Sequence, residues 1–340
     1  MHLCKVFVLN LLFTFLLADS FAQNSQKQLS FADSAASIEF FNAGNMKMGT
    51  LDFTGAIEDY TKAININSNY SNAYCNRGSA KVNLQDYKGA IADFTKAIEI
   101  NPQYSKAYNN RGFAKFNLQE YQSAIEDYTK AIEFNSNYCD AFYNRGIAKS
   151  ALQNFNGAIE DCNKAIDINP NSSEAYFNRG SAKSRLQDNK GALDDFTKTL
   201  ELNPKNGAAY YNRGIVRYNL QDYKGAVEDY SKAIEIDPKY VNAYYYQGNA
   251  KVNLEDYKGA IEDYTKAINI NPKQAVSYFN RANAKINLND YKGAIEDYSK
   301  AIELNSKYRE AYYYRAVAKL NLFDQKGAAD DFKKASEVQK

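Results

Sequence analysis

Histidine is all but missing from this chain: its single copy is His2. Without imidazole there is no Ser/His or Cys/His nucleophile pair and no histidine metal ligand, so two large classes of hydrolase chemistry lose their usual parts. Cysteine is scarce as well. Among Cys4, Cys75, Cys139 and Cys162 no two stand at CxxC spacing, so neither a metal site nor a disulfide framework is implied. Net charge is lacking too: 42 Lys plus Arg face 40 Asp plus Glu. Bulk charge therefore draws the chain neither to nucleic acid nor to an anionic membrane. Long apolar runs are limited to one, residues 6–17, too short to cross a bilayer comfortably.

That run follows Lys5 and precedes Ser20-Phe21-Ala22, which offers small residues at the two positions a signal peptidase reads. Residues 1–22 are expected to be a signal peptide cleaved after Ala22, which would remove His2 and Cys4 and leave no integral membrane span. An uncleaved anchor is the alternative, and no lipid-attachment cysteine follows the run. The expected destination is a periplasm or the outside of the cell. The richness in Asn, Lys, Ile and Tyr points to an AT-rich, bacterial genome.

What the chain has in abundance is repetition. Gly44, Gly78, Gly112, Gly146, Gly180, Gly214 and Gly248 recur every 34 residues, and Ala282 and Ala316 keep the same beat. Nine units begin at residues 37, 71, 105, 139, 173, 207, 241, 275 and 309, behind a linker and helix start over residues 23–36. A unit of this size buries its apolar face only against its neighbours, so residues 37–340 read as one repeat domain.

In residues 71–104, Tyr74, Gly78, Ala80 and Leu84 share one helical face. Ala90, Ile91, Phe94, Ala97 and Ile98 share another. Asp86 stands where a helix N-cap belongs, and Asn101-Pro102 stops the second helix. Pro102, Pro170, Pro204, Pro238 and Pro272 all fill that one slot. At the N-terminal end Ser30 is placed to cap a first helix beginning near Phe31; at the C-terminal end the last helix turns polar, as a cap should. The expected class is all-α, built of antiparallel helix pairs.

Numbered from Ser71, the unit has an aromatic at position four, Gly at eight, Ala at twenty, an aromatic at twenty-four, Ala at twenty-seven and Pro at thirty-two. This resembles the tetratricopeptide repeat. The resemblance implies a right-handed α-solenoid whose first helices line the concave side, and it implies no enzymatic activity, cofactor or metal. Cys162 falls in the aromatic slot and reads as a small core residue.

Two departures from the family pattern carry charge. Arg replaces the usual Leu at position seven in seven units, while Asp fills position twenty-three in all nine. Bridges of Arg77 to Asp93, Arg111 to Asp127 and Arg145 to Asp161 are expected, since buried charges need partners. An arginine row gripping acidic ligands is the alternative. Position eleven is Lys or Arg, including Lys47, Lys81, Lys115, Arg217 and Lys319. Its expected role is a stem that packs and a head that reaches water.

The first-helix face that the resemblance makes concave carries aromatics at position five (Phe41, Tyr143, Phe177, Tyr211, Tyr245, Phe279 and Tyr313) and largely apolar residues at twelve. Beside them run Asn42, Asn76, Asn110, Asn144, Asn178, Asn212 and Asn280 at position six. A second amide row at position thirteen holds Asn83, Asn117, Asn219, Asn253, Asn287 and Asn321. An Asn amide matches the N–H and C=O of an extended peptide, so such rows can hold a main chain with little regard to sequence. The alternative is that position six bonds the neighbouring helix.

The family's clamp for acidic C-termini needs Lys at position five, which is never basic here. Lys106, Asp140, Glu174, Arg185 and Glu310, on variable groove positions, nearly balance, and nucleic acid is not an expected partner. The leading expectation is an exported protein-interaction scaffold that holds an extended peptide. The alternative is carbohydrate or envelope-glycan binding by the aromatic and Asn-lined groove. Oligomeric state is left open. Tyr246-Gln247, where both the Asn and the Arg rows lapse, marks either a local pocket or a softer joint.

Overall fold

The computed structural model describes residues 30–338. The expected signal peptide (1–22) and most of the linker after it lie outside the described residues, as does His2. Among the described residues there are eighteen helices and no strand. Three pairs fall in a compact unit within Met1–Ser136: α1 (Phe31–Gly49) with α2 (Phe53–Ile66), α3 (Ser71–Asn83) with α4 (Tyr87–Ile100), and α5 (Ser105–Asn117) with α6 (Tyr121–Phe134). Six pairs fall in a second unit within Asn137–Lys340. They are α7 (Cys139–Ala151) with α8 (Phe155–Ile168), α9 (Ser173–Arg185) with α10 (Asn189–Leu202), and α11 (Gly207–Asn219) with α12 (Tyr223–Ile236). After these come α13 (Val241–Asn253) with α14 (Tyr257–Ile270), α15 (Ala275–Asn287) with α16 (Tyr291–Leu304), and α17 (Arg309–Asn321) with α18 (Gln325–Glu337).

Short turns make each pair antiparallel. Each starts and stops where its side chains dictate. Ser30 caps α1 by accepting from Asp33 N at 3.0 Å, and Asp86 caps α4 by accepting from Gly89 N at 2.9 Å. A Cβ on Gly89 would lie 2.1 Å from the Asp86 carboxylate, so this cap and this glycine require each other. The third unit shows the rule by exception: Glu120 stands at the cap, Ser123 replaces the glycine, and no side-chain cap bond forms.

The turn inside each pair is a Schellman closure. In the second unit of sequence, Asp86 N donates to Lys81 O and Gln85 N to Val82 O, both at 2.9 Å. Gln85 is thereby forced to φ 61°, and its equivalents Leu51, Gln119, Gln153, Gln187, Gln221, Glu255, Asn289 and Phe323 lie between 60° and 64°. A glycine would sit there freely, whereas a Cβ costs roughly 1 kcal/mol or more.

Within each unit the pairs stack by small residues. The alanine at position twenty, from Ala56 to Ala328, is fully buried throughout. The ring at position twenty-four lies on the position-eight glycine: a Cβ on Gly78 would meet Phe94 Cε1 at 2.8 Å, and one on Gly214 would meet Tyr230 Cε1 at 2.7 Å. The close approach that the glycine permits is thus to a ring rather than to backbone. Where Cys162 replaces that ring it is buried, and a Cβ on Gly146 would instead meet the backbone Ala158 O at 3.3 Å and Cys162 Sγ at 3.5 Å. First helices of successive repeats touch, α1 with α3 and α3 with α5 in one unit, α7 with α9 and on through α15 in the other. Second helices stand further apart, so the first helices form the inner face of each stack.

The left-handed turn residues yield a test. Gln187→Gly is expected to raise unfolding stability by roughly 0.5–1 kcal/mol, because it removes Cβ strain at φ 63° with no hydrogen bond lost. Urea denaturation checks it; an unchanged or lowered midpoint would show that the turn is unstrained.

Candidate functional site

The inner face is built over a buried ionic layer. Arg77 donates from Nε to Asp93 Oδ2 at 3.0 Å and from Nη2 to Oδ1 at 2.7 Å. The same two-pronged bond joins Arg111 to Asp127 and Arg145 to Asp161, with Nη2 to Oδ1 at 2.7 Å in both. It recurs at Arg179–Asp195, Arg213–Asp229, Arg281–Asp297 and Arg315–Asp331. Each guanidinium also lies 5.3–5.6 Å from the centroid of the ring three residues before it, as Arg179 does over Tyr176 and Arg213 over Tyr210. Committed in this way, the arginine row is not a free grip for acidic ligands.

Position eleven departs from expectation. Its head does not simply reach water: Lys81 Nζ lies 2.7 Å from Asp93 Oδ2, and Lys115, Lys149, Lys183, Lys285 and Lys319 stand 2.8 Å from their own Asp. The carboxylate is only a few per cent exposed, so it draws the second cation inward. Two cations share one anion in each such repeat, which leaves a net positive charge per site. At Asp331 burial pushes the carboxyl up, but the bonds from Arg315 and Lys319 outweigh it and hold the group below its ordinary range.

The seventh repeat breaks this layer. Gln247 replaces Arg and turns away, donating from Nε2 to Ser231 Oγ at 2.6 Å and Val227 O at 3.2 Å. Asp263 retains only Lys251, whose Nζ stands 2.8 Å from Oδ2, and receives no guanidinium bond. Burial pushes the Asp263 carboxyl up to about 6 against the pull of Lys251. Its neighbour Tyr246 stacks on Tyr230 at 6.3 Å and meets Tyr211 and Tyr245 edge-on.

Above this layer lie the amides and rings expected to meet a ligand. Asn76 Nδ2 donates to Asn45 Oδ1 at 2.9 Å, and Asn110 Nδ2 to Ser79 Oγ at 3.2 Å. Asn280 Nδ2 reaches Asn249 Oδ1 at 3.0 Å and Tyr245 Oη at 3.1 Å. At these three places position six bonds the preceding repeat, and part of each amide's capacity is spent there. Asn178 Nδ2 instead donates to Glu174 O on its own helix at 2.8 Å. Asn144 and Asn212 are half-buried on α7 and α11, and Asn42 is exposed on α1.

The position-five rings are half-buried except Tyr313, which is exposed. Phe177 lies 5.8 Å from Phe196, Tyr211 lies 4.7 Å from Tyr240, Tyr245 lies 6.1 Å from Tyr264, and Phe279 lies 4.8 Å from Tyr308. Tyr143 is half-buried too, its hydroxyl pushed up by burial and partly relieved by Asn178.

The position-thirteen amides are the exposed ones. Asn83, Asn117, Asn287 and Asn321 each donate one N–H to the carbonyl four residues back, at 2.8–2.9 Å. That bond fixes the side chain's direction and leaves Oδ1 and the second N–H for a ligand. Asn253 does the same and also donates to Tyr218 Oη at 2.9 Å. Lys106, Asp140, Glu174, Arg185 and Glu310 are exposed on the same helices. Burial pushes the thiols of Cys75 and Cys139 up and that of Cys162 up to about 12, so all three are poor nucleophiles.

Family models for the tetratricopeptide repeat match residues 71–104, 105–138, 139–172, 207–240 and 275–308, with a further one over 173–206 and a TPR-repeat model over 248–289. No curated protein sequence matches. Among solved structures, a tetratricopeptide repeat protein from Parabacteroides merdae is similar at 18% identity and TM-score 0.54, covering 74% of this chain and 99% of its own. PilF of Pseudomonas aeruginosa is similar at 19% identity and TM-score 0.55, covering 61% of this chain and 94% of its own. YrrB, described as a TPR protein with an unusual peptide-binding site, shares 26% identity at TM-score 0.49 over 54% of this chain and 95% of its own.

The gap in the ionic layer makes stability depend on pH in a defined direction. Asp263 has a folded pKa raised above its ordinary 3.8, so the stability it permits is fully present below about pH 4 and is lost as pH rises through about 6. Gln247→Arg is expected to add about 1–2 kcal/mol near pH 7.5 and almost nothing near pH 4. Parallel urea titrations of the two proteins at both pH values measure it; an equal gain at both would mean that Asp263 is not the origin.

Proposed function

The chain belongs to the tetratricopeptide-repeat family, and on that premise we propose that it is an exported scaffold that holds an extended peptide segment of a partner protein along the first-helix face. Its repeats form a protein-interaction scaffold, and no described helix is long and apolar enough to cross a membrane. The reading rests on one observation above the others: the exposed, directionally fixed amides at position thirteen.

Asn287 and Asn321, one repeat apart, offer a donor and an acceptor each, as an extended main chain requires, while Asn253, with both N–H groups spent, offers its oxygen as an acceptor. The position-six amides serve as a second, partly spent row, and the position-five rings give the floor its apolar edges. The charges on this face nearly cancel, which suits a ligand recognised by backbone rather than by net charge. Export rests on the leader-like residues 1–22, with a periplasm or the cell exterior as the destination.

The test compares the two rows in the chain spanning residues 23–340. Asn287→Ala with Asn321→Ala removes only bonds within single helices, so the melting temperature is expected to stay within about 2 °C while partner capture from an envelope extract drops about tenfold or more. Asn76→Ala with Asn110→Ala removes bonds between repeats and is expected to lower the melting temperature as well. Capture unchanged in the first variant would remove position thirteen from the site; capture of a glycan in place of a protein would overturn the peptide reading.

A further inference from the structure

The rows of the inner face are interrupted at one place in the second unit. At position twelve α7 and α9 carry Ser150 and Ser184, and at position thirteen Ala151 and Arg185. Most other repeats carry a large apolar residue followed by Asn at these two positions. The effect is felt by the aromatic at position seventeen. Phe116 lies 5.2 Å from Tyr121, and Tyr218 lies 5.3 Å from Tyr223, so in those repeats a ring at position twelve covers it. Phe155 has only Ser150 at that place. The guanidinium of Arg185, from the following repeat, lies over it instead, with Cζ 5.5 Å from the ring centroid.

The short side chains leave an open cleft of about 370 Å³ between α7 and α9, lined among others by Ser150, Phe155, Asn178, Ser181 and Arg185. No acidic residue lines it. Arg185 forms no ion pair among the described residues, in contrast to the seven position-seven arginines, each fastened to its Asp. Asp188, three residues on, caps α10 and forms no ion pair with Arg185, and Glu174, the nearest acid on α9 itself, lies eleven residues back, roughly 16 Å along the helix. Resting one face on Phe155, the guanidinium keeps its in-plane N–H fork for a planar anion. The hydroxyl of Ser150 makes no hydrogen bond among the described residues, whereas that of Ser181 donates to Phe177 O at 2.8 Å and is left as an acceptor.

We infer that this cleft is a carboxylate pocket: Arg185 takes the two oxygens of a carboxylate on a peptide lying along α7 and α9, and Ser150 donates to one of them. The inference rests on the peptide-scaffold reading and deepens it, since it makes a sequence-tolerant surface selective at a single place. Asp and Glu side chains and a free C-terminus present the same chemistry. The cleft lies at the C-terminal ends of the two helices, at positions twelve and thirteen, and is independent of any basic residue at position five.

The experiment uses the chain over residues 23–340 and nine-residue Gly/Ser peptides, acetylated and amidated, with Glu or Gln at the centre, plus the Gln peptide with a free C-terminus. Binding is followed by nuclear magnetic resonance of the α9 amides and of the Arg185 side-chain N–H. The Glu peptide is expected to bind about tenfold more tightly than the Gln peptide, and Arg185→Gln is expected to abolish the difference while leaving the melting temperature unchanged. A free C-terminus that restores affinity to the Gln peptide identifies the terminal carboxylate as a second source. Equal binding of Glu and Gln peptides, or a preference that survives Arg185→Gln, overturns the pocket while leaving the scaffold reading intact. Should no peptide bind, the scaffold reading fails, and N-acetylglutamate N-methylamide is titrated alone. Shifts at Arg185 that vanish in Arg185→Gln would then uphold the pocket, and their absence would overturn it.

Discussion

The buried aspartate at position twenty-three is the constraint around which each repeat is organised. A carboxylate only a few per cent exposed is costly unless it is ionically and directionally satisfied. Asp93 receives two bonds from Arg77 and a close ammonium from Lys81. The same Arg77 extends its third nitrogen to Thr61 Oγ1 at 3.0 Å in the preceding repeat. The arginine therefore reaches sixteen residues forward and sixteen back, and one side chain fixes both the helix pair and the junction between pairs. Arg111 with Thr95, Arg213 with Thr197, Arg281 with Thr265 and Arg315 with Ser299 repeat the pattern. Apolar packing supplies most of the driving force for such stacking; the ionic layer supplies register, because a shift by one residue would strand a buried charge.

The same layer explains why the inner face is available for recognition. Leu at position seven would leave the interface between first helices purely apolar and free to slide. With Arg held from beneath by Asp and from the side by an aromatic ring, the first helices are fixed in rotation. Asn at position thirteen then makes the same bond to the carbonyl four residues back in five repeats. The seventh repeat gives the counter-example. Gln247 keeps the backward bond to Ser231 but abandons the forward one, so the junction bond survives while Asp263 lacks a guanidinium partner. Tyr246, stacked on Tyr230 across that junction, fills the space with aromatic contact.

Much of this was legible in the sequence, and what was not has a common cause. A 34-residue period, an Asp at seven of the nine second-helix caps and a proline in one slot are local signals, and they placed the helices to within a residue or two. The pairing of Arg77 with Asp93 was legible because both lie within one repeat and recur together in seven units. Hidden were contacts that cross from one repeat to the next, since in a periodic chain every offset recurs and none stands out. The bond from Arg77 to Thr61 and the stacking of Tyr246 on Tyr230 belong to this group. Lys81 was misread because its stem does pack, and only the depth of Asp93 shows that the ammonium is better placed on the carboxylate than in water. The left-handed Gln85 was invisible because its residue type gives no warning; the recurring Leu-Gln-Asp was its only trace.

The cleft at Arg185 belongs to a further category: a site visible only as a failure of the pattern. In a repeat protein every structural duty is discharged nine times over, so a side chain that serves the fold has equivalents. Arg185 has none at its position, and among the described residues it is the one guanidinium resting on a ring that is not held by an aspartate beneath it. Its ring contact with Phe155 is made possible by Ser150, and Ser150 in turn opens the space that the cation borders. Two substitutions in adjacent repeats thus compensate one another sterically while leaving a surplus charge uncompensated. A change made only for packing would have used a neutral side chain to cover Phe155, as Phe116 covers Tyr121. The surplus is chemical, and a surplus of positive charge within reach of a groove lined with amides is satisfied most simply by an anion that the bound chain brings with it.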